Sequence, residues 1–515
     1  MEPNKAVNSV AIHLEERHGG AVGHDREIKK PIALDEVHGD EAVKVIASYS
    51  GGEEWTAEEE KQLVRKIDRR LLIFLCLSYG FQYYDKAMFS QAAIFGMRDD
   101  LNLTVGNRYS FSASIFYLGF ICGAYPAVVL SQRFRVRYVA GIILCIWGAV
   151  LMCAAACKTY QGIYAQRFFL GFLEAGIAPI FMLVVGSWYK KNEQAFRMGI
   201  WYCCTGYISI FSPLVNYGLG HITGGTLAPW QYMFLFAGAL TVLWSFVIFY
   251  KLPGDPITAT GFTERERYIA VARVRSNNTG VRNVHFKPSQ VLEGLLDAKF
   301  WLVFAMAFLM MIANGPQSTY QAIIVAGFGF SSLNSLLLLM PFGFIIGSIE
   351  LGAPYLAYKI PNIRTYLIVL CQCLTVMSSL LLWILPRSQL GGLLVGVYFL
   401  GSFAGSYVLS MTLSIANTAG YTKRSFVSAA MFIGYCLGNV MGPILFKSKD
   451  APRYVPAWVV VVVTSSLTAC LTMVYRFLCI WENRRRDRTG SLEGFEHAYE
   501  DDLTDKKNPQ FRYVY

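Results

Sequence analysis

The sequence predicts an all-α integral membrane protein with twelve transmembrane helices in two halves of six. Of its 515 residues, 54% are hydrophobic and only 16% are charged, and the mean hydropathy is +0.38. That composition is too apolar for a soluble protein of this length. Twelve apolar segments are each close to the roughly 20 residues that a helix needs to cross a bilayer. A long polar stretch separates the sixth segment from the seventh.

The first six expected spans form an N-terminal half at residues 71–250, and the second six form a C-terminal half at residues 300–480. The first six are Leu71 to Ile94, Tyr109 to Leu130, Tyr138 to Ala156, Ile163 to Trp188, Met198 to Leu219 and Tyr232 to Tyr250. The second six are Phe300 to Ile324, Leu333 to Tyr355, Thr365 to Leu385, Leu393 to Leu413, Phe426 to Phe446 and Val455 to Ile480.

The segments outside the spans are polar. Residues 1–54 are expected to be a disordered N-terminal tail. Residues 55–70 are expected to form an amphipathic juxtamembrane helix along the membrane surface, since Leu63 and Ile67 lie four residues apart among charged residues. Residues 251–299 are expected to be a linker, and residues 481–515 a C-terminal tail.

Basic residues are concentrated in alternate short loops, which predicts that both termini and the linker are cytosolic. The net charge of +11 follows from this bias and from the run Arg484 to Arg486, which can contact anionic lipids. We therefore expect membrane lipids as partners and no nucleic acid, and we expect a monomer. The cysteines and histidines show no metal-ligand spacing, so no metal and no cofactor is expected.

Five ionisable residues lie deep inside the expected spans. They are Asp85, Lys86, Arg167, Glu174 and Glu350. A charge at the bilayer centre costs about 3 kcal/mol on insertion scales, so such residues are retained mainly where they form pairs or line a hydrated path. This pattern indicates transport.

Four of the five charges belong to the first half. Arg167 and Glu174 are seven residues apart on the fourth span and point nearly the same way, whereas the adjacent Asp85 and Lys86 point about 100° apart. We expect Asp85 to pair with Arg167, and Glu174, without a close cation, to carry the proton. Lys86 would then hold an anionic substrate. The alternatives are an incidental ion pair in a glycine packing seam, and a lysine that extends to the membrane interface.

Polar residues of the second half complete the candidate site. Asn314, Gln317, Tyr320 and Gln321 gather near the outer end of the seventh span, and Asn439 lies in the eleventh. Their amides and hydroxyls are expected to bind substrate, although hydrogen bonding between helices is the alternative use. Glu350, in the eighth span, is either a second proton site or a charge that faces the cavity.

Several motifs carry a family resemblance over about Lys66 to Arg488. They are RFFLGFLEAGIAP at 167–179, YDK at 84–86, NTAGYTKR at 417–424, GNVMGP at 438–443 and DAPRY at 450–454. With these motifs the chain resembles the major facilitator superfamily, and more narrowly its anion:cation symporter branch with the fungal allantoate permease-like carriers. The loop after the second span departs from the superfamily pattern at Gln132 and Arg135, as is common in that branch.

The resemblance implies two six-helix halves with substrate bound between them, and proton-driven uptake of small organic anions across the plasma membrane. It also implies that Asp85 and Glu174 are the protonatable pair and that Arg167 is their counter-charge. The residue after the first-span aspartate is usually arginine in bacterial relatives of the branch, and here it is Lys86. A lysine lacks the bidentate fork of arginine, so anion binding carries over less directly at this position.

The sequence leaves several functions open. The first is proton-coupled symport of a small carboxylate, ureide or vitamin-like anion, and the second is proton-antiport export of a secondary metabolite or drug. A nutrient receptor that signals without net transport is a third. We do not expect an enzyme, because no nucleotide loop and no nucleophile with a paired base lies within the spans.

Overall fold

The computed structural model describes residues 55–489 and 503–515, apart from 223, 255, 257–258, 260 and 276–286. The expected N-terminal tail at residues 1–54 lies outside this part. The helices of the first half are α1 (Ala57–Ala92), α2 (Arg108–Ser131), α3 (Val136–Ala156), α4 (Tyr160–Trp188), α5 (Arg197–Gly220) and α6 (Pro229–Lys251). The linker contains α7 (Glu264–Arg275) and α8 (Pro288–Leu295). The second half comprises α9 (Ala298–Ala326), α10 (Ser332–Lys359), α11 (Arg364–Ile384), α12 (Leu390–Ala416), α13 (Thr422–Leu445) and α14 (Val455–Arg488).

The predicted twelve-helix architecture is confirmed. In the described chain, 11 helices are long and apolar enough to cross a membrane. The twelfth is α1, whose mean hydropathy is lowered by Gln82, Asp85 and Lys86. Large apolar side chains such as Leu243 and Phe477 are more than 60% exposed on the bundle surface, as lipid-facing residues would be.

Helix α1 corrects one expectation, because residues 55–70 are not a separate surface helix. A capping box at Thr56 and Glu59 starts the helix, and the chain then continues without a break to Ala92. The apolar residues Leu63 and Ile67 are only 3% and 1% exposed, and Lys66 binds Glu266 of α7 at 2.7 Å. The apolar face of this segment is therefore covered by protein.

Each half packs through the same kinds of helix pairs. Helices α1 and α5, α2 and α4, and α3 and α6 pair in the first half, and α9 and α13, and α11 and α14, in the second. The halves meet where α2 packs on α13 and α5 packs on α10. Glycines permit the closest approaches, since a Cβ at Gly171 would overlap the Phe116 carbonyl and one at Gly206 would overlap the backbone of Gly347.

One end of the bundle, here the terminal face, carries the start of α1, the linker helices and residues 503–515; the opposite end is the far face. At the far face the two halves are joined by hydrogen bonds. The Tyr109 hydroxyl donates to the Thr319 carbonyl at 2.7 Å, and the Ser114 hydroxyl donates to the Val440 carbonyl at 2.7 Å. Ser110 lies 2.6 Å from the hydroxyl of Tyr320.

Residues 503–515, the docked segment, pack back onto the terminal face of the second half. Asp505 binds Lys423 at 2.7 Å, and the Arg486 guanidinium donates to the carbonyls of Asp505, Asn508 and Phe511. Burial opposes ionisation of Asp505, but the ammonium groups of Lys423 and Lys299 outweigh it and lower the pKa of this carboxyl group. The expected C-terminal tail thus includes an ordered part.

Candidate functional site

The four charged residues of the first half lie together inside the bundle. Lys86 Nζ is 2.8 Å from Glu174 Oε1, and Glu174 is completely buried. Asp85 is 1% exposed and Arg167 is 5% exposed. The first half of α4 ends at Glu174, directly before a break at Ala175 and Gly176. The four side chains sum to zero net charge when all are ionised.

The pairing differs from the expected one, in which Asp85 would meet Arg167 and Glu174 would have no cation. Within the described residues, both carboxylate oxygens of Asp85 lack a hydrogen-bond partner. The Arg167 guanidinium lies over the rings of Phe89 and Phe116, at 4.3 and 4.9 Å from their centroids. Phe89 lies one helical turn after Asp85 on α1, so its ring takes the place that the sequence suggested for the carboxylate.

Trp147 of α3 belongs to the same buried group, although no sequence pattern predicts it there. It is 0% exposed and lies close enough to Asp85 to interact with its carboxyl group. Its indole nitrogen has no hydrogen-bond partner in the described part of the chain. Buried polar atoms without a hydrogen-bond partner are uncommon in folded proteins, and here a donor and a carboxyl group of this kind lie side by side. A tryptophan in an apolar span gives no sequence signal that it will lie beside a buried carboxyl group.

A polar chamber lies between the halves and has two lobes. The Lys86 lobe, of about 40 Å³, is lined by Lys86, Tyr117, Asn314, Gln317 and Gln321 among others. The Glu350 lobe, of about 60 Å³, shares Tyr83, Tyr435, Asn314 and Gln317 with the first lobe. Charged groups from the two halves therefore line adjoining parts of one chamber.

A larger apolar vestibule extends from the chamber towards the terminal face. Its volume is about 500 Å³, and it shares Lys86, Tyr79, Tyr202, Tyr407 and Tyr435 with the lobes. Its wall is rich in methionine and phenylalanine, contributed by Phe120, Met182, Met198, Met411, Met431 and Phe432. The bundle is thus sealed at the far face and open towards the terminal face.

The polar residues predicted in the second half divide into three groups. Asn314, Gln317 and Gln321 line the chamber, and the side-chain nitrogen of Gln321 has no hydrogen-bond partner in the described chain. Asn439 supports Asn314 from behind, because its side-chain oxygen accepts a hydrogen bond from Asn314 at 2.5 Å. Tyr320 corrects the expectation of substrate binding: it lies in the far-face seal, where its hydroxyl donates to the Phe446 carbonyl at 2.8 Å.

Glu350 faces the chamber from α10 and is 3% exposed. Its Oε2 accepts a hydrogen bond from the Thr205 hydroxyl of α5 at 2.5 Å. In the described residues no lysine, arginine or histidine lies within ion-pair distance of it. Likewise, no group of three or more His, Cys, Asp or Glu residues suited to hold a metal ion is found in the described chain.

Known proteins share this sequence and fold. The family model described as Major Facilitator Superfamily matches residues 75–443. A Schizosaccharomyces pombe protein named as a transporter is 34% identical over 468 residues, which cover 89% of this chain and 88% of that protein. The allantoate permease of Saccharomyces cerevisiae is 31% identical over 491 residues, which cover 92% and 90%.

A solved structure is similar in fold alone. The xylose transporter XylE from E. coli, in a partially occluded inward-open conformation, matches with a TM-score of 0.59 at 13% identity. The match covers 79% of this chain and 97% of that one. The family match and the transporter relatives show that this chain belongs to the Major Facilitator Superfamily and is a multi-pass membrane transporter, not an enzyme.

Proposed function

We propose that this protein imports a small organic anion together with protons, by alternating access. The observation that carries the proposal is the ion pair of Lys86 and Glu174 at the wall of the chamber. Lys86 retains access to the chamber, with 12% of its side chain exposed, while Glu174 is inaccessible. The lysine can therefore exchange its partner for a substrate, and the glutamate cannot.

The exchange is controlled by charge balance. While Glu174 is ionised, it neutralises Lys86, and an entering carboxylate would compete with an anion that is already in place. A proton on Glu174 removes that competitor and leaves the buried group with one surplus positive charge. A substrate anion at Lys86 then restores neutrality, which an apolar interior strongly favours. Binding of the anion is thereby linked to uptake of a proton.

Hydrogen-bond donors support the anionic end of the substrate. Gln321, in the same lobe as Lys86, presents a side-chain nitrogen that has no partner in the described chain. Asn314 and Gln317 add further amides. One relative is named allantoate permease, and allantoate is a carboxylate, which agrees with this chemistry. Asp85 serves in the proposal as a second protonatable group, with Arg167 as the fixed counter-charge.

The open vestibule relates the structure to one state of the proposed cycle. The basic loops predict that the terminal face is cytosolic. With that orientation, the structure would correspond to the state that releases substrate inside the cell. Uptake then requires the far-face hydrogen bonds to break and the vestibule to close. The plasma membrane is the expected location, and one chain is the expected functional unit because a single chain supplies both walls of the chamber.

Proton-driven export of a secondary metabolite is the second candidate. The vestibule of about 500 Å³, lined by methionines and aromatic rings, suits an amphipathic cargo larger than a simple carboxylate. Direction of transport separates the two functions. Uptake into right-side-out vesicles with an acidic exterior supports import, whereas accumulation in inside-out vesicles with an acidic interior supports export.

The test of the coupling mechanism is Glu174→Gln in proteoliposomes, with a panel of labelled ureides, nicotinate, pantothenate and simple carboxylates. The variant should lose accumulation against a gradient and retain exchange of internal for external substrate, because the amide cannot carry the proton. Asp99→Asn, which alters an exposed far-face acid, is the matched control and should behave as wild type. Undiminished uphill accumulation by Glu174→Gln would remove Glu174 from the mechanism.

A further inference from the structure

Glu350 is a buried acid with a place in the chamber but no use in the mechanism above. It lines the second lobe, and in the described residues it has a hydroxyl partner, Thr205, but no cationic one. An ionised carboxylate without a counter-charge is costly in such a place. Either a proton or a positively charged ligand must therefore balance Glu350 during the transport cycle.

The surroundings of Glu350 favour a cationic ligand. Five tyrosines line the same lobe, namely Tyr79, Tyr83, Tyr202, Tyr407 and Tyr435. Several of them are in ring contact, with centroids 5.3 Å apart for Tyr79 and Tyr83 and 5.1 Å apart for Tyr407 and Tyr435. Aromatic rings grouped around one point attract cations through their faces, and such groups of rings recognise quaternary ammonium ligands. A carboxylate among these rings adds a full negative charge to the same lobe.

The sum of the buried charges in and beside the chamber agrees with a cationic group on the substrate. When all are ionised, Asp85, Glu174 and Glu350 contribute three negative charges and Lys86 and Arg167 two positive ones, which leaves one negative charge. One proton and one zwitterionic substrate would neutralise this set, whereas a simple monoanion would require two protons. The two lobes share Tyr83, Asn314 and Gln317, so they adjoin, and the proposal requires one small molecule to extend into both.

We propose that Glu350 and the tyrosines around it form a subsite for a positively charged nitrogen, so that the preferred substrate is a zwitterion. Its carboxylate faces Lys86 and its quaternary or protonated nitrogen faces Glu350. The anionic end of this assignment rests on the proposed function. The cationic end rests on Glu350 and the tyrosines alone, and it requires no particular direction or proton coupling of transport.

The test uses equilibrium binding to the full-length protein in detergent, near neutral pH, so that no gradient is needed. In each of two probe pairs the first member, the cationic probe, is a zwitterion with a fixed positive charge, and its partner is a carboxylate without one: N-methylnicotinate against nicotinate, and glycine betaine against 3,3-dimethylbutyrate. The second pair is matched in shape, and the first also differs by a methyl group. The wild type should bind at least one cationic probe about tenfold more tightly than its anionic partner, as expected for a buried cation contact. Equal affinities within both pairs, or no binding of any probe, would overturn the proposal.

Three variants identify the residues responsible. Glu350→Gln should abolish the preference by weakening binding of the cationic probe, while binding of its anionic partner is kept or strengthened because a negative charge has been removed. Tyr407→Leu should reduce the preference, and Tyr407→Phe, which keeps the ring face, should retain it. A preference that survives Glu350→Gln would contradict the assignment. Loss of both members of each pair in Glu350→Gln would also contradict it and would make Glu350 a proton site.

The cation subsite and the proposed function can be rejected independently of each other. Glu174→Gln addresses proton coupling and should keep the preference for the cationic probe, because Glu174 does not line the Glu350 lobe. If Glu174→Gln still transports uphill while Glu350→Gln loses the preference, the coupling mechanism is wrong and the cation subsite stands. The reverse pair of results retains the coupling mechanism and rejects the subsite.

Discussion

The two halves of the bundle line one chamber with different chemistry. The first half contributes Lys86 to the wall. Behind the wall, Glu174 pairs with Lys86, Arg167 stacks on phenylalanine rings, and Asp85 is buried in the same group. The described spans of the second half contribute a single acid, Glu350, together with amides and tyrosines. The difference suggests a division of labour in which the first half couples substrate to protons and the second half selects the substrate.

The halves also differ in how their terminal faces are covered. In the first half, linker helix α7 covers the start of α1 through ion pairs such as Lys66 with Glu266 and Arg265 with Glu59. In the second half, the docked segment covers the start of α9 and α13 through Asp505 and Lys423. The linker joins the halves covalently, whereas the docked segment contacts its own half.

The largest effect on transport is expected for Arg167→Ala, which removes a cation from the buried charged group of the first half. Removing this guanidinium leaves Asp85 and Glu174 with Lys86 alone in an apolar interior, and the penalty for such an uncompensated charge is about 3 kcal/mol or more. Initial uptake rates in proteoliposomes should fall by at least about 100-fold. Arg167→Lys, which keeps the charge and loses the planar stack, should fall less. Wild-type uptake by Arg167→Ala would show that these charges do not drive transport.

The ion pair of Lys86 and Glu174 can be tested through the thermal stability of the protein. Lys86→Met leaves Glu174 buried without its cation and should lower the free energy of unfolding by about 3 kcal/mol, seen as a lower thermal midpoint in detergent. The double variant Lys86→Met with Glu174→Gln removes both charges and should recover most of the midpoint. It should not recover uphill transport. A double variant no more stable than Lys86→Met would show that the two residues do not depend on each other.

A smaller and different effect is expected in the second half. Asn314→Ala removes an amide of the chamber, and its contact with Asn439, and should weaken substrate binding about tenfold, or about 1.4 kcal/mol. The dependence of uptake on pH should keep its shape, because no titrating group has been lost. Ser348→Ala, whose hydroxyl bonds the Phe344 carbonyl of its own helix, is the control. A shifted pH profile for Asn314→Ala would contradict the division of labour.

The smallest effect on transport is expected for Asp505→Asn. Loss of the ion pairs with Lys423 and Lys299 should speed amide hydrogen exchange in residues 508–515, with uptake changed by less than about twofold. Asp487→Asn, which breaks an exposed pair with Arg512, should have little effect on hydrogen exchange or uptake.

The docking should depend on pH only in the acidic range. Because the pKa of Asp505 is lowered, the stabilisation that ionised Asp505 gives to the docked segment is complete above the usual aspartate pKa of about 3.9 and is lost as the pH falls below that value. Undocking at mildly acidic pH would contradict this.

Much of this arrangement could be predicted from the sequence, because hydropathy and charge are local properties. The twelve helices and their grouping follow from the lengths of apolar segments. The pairing of Lys86 with Glu174 could not be predicted, since spacing gives the angle between two residues of a helix but not the rotation of that helix against its neighbours. The stacking of Arg167 on Phe89 depends on that rotation.

Two further misses have their own physical causes. Gln317 lines the chamber and Tyr320 lies in the far-face seal, although both belong to one short stretch of α9. A π-helical turn at Pro316–Tyr320 changes the helical register there, which a regular helical pattern does not reveal. The docked segment was missed because its contacts join residues far apart in sequence, such as Asn417 and Val514.

Because α1 is one continuous helix, it connects the chamber rigidly to the terminal face. From Glu59 to Lys86 the helix spans about 40 Å at about 1.5 Å per residue. A tilt of about 5° at the chamber would displace the other end by about 3 Å, which is enough to break the contact of Glu59 with Arg265. Distance probes at that exposed pair would therefore detect a tilt of α1 on substrate binding without contacting the substrate.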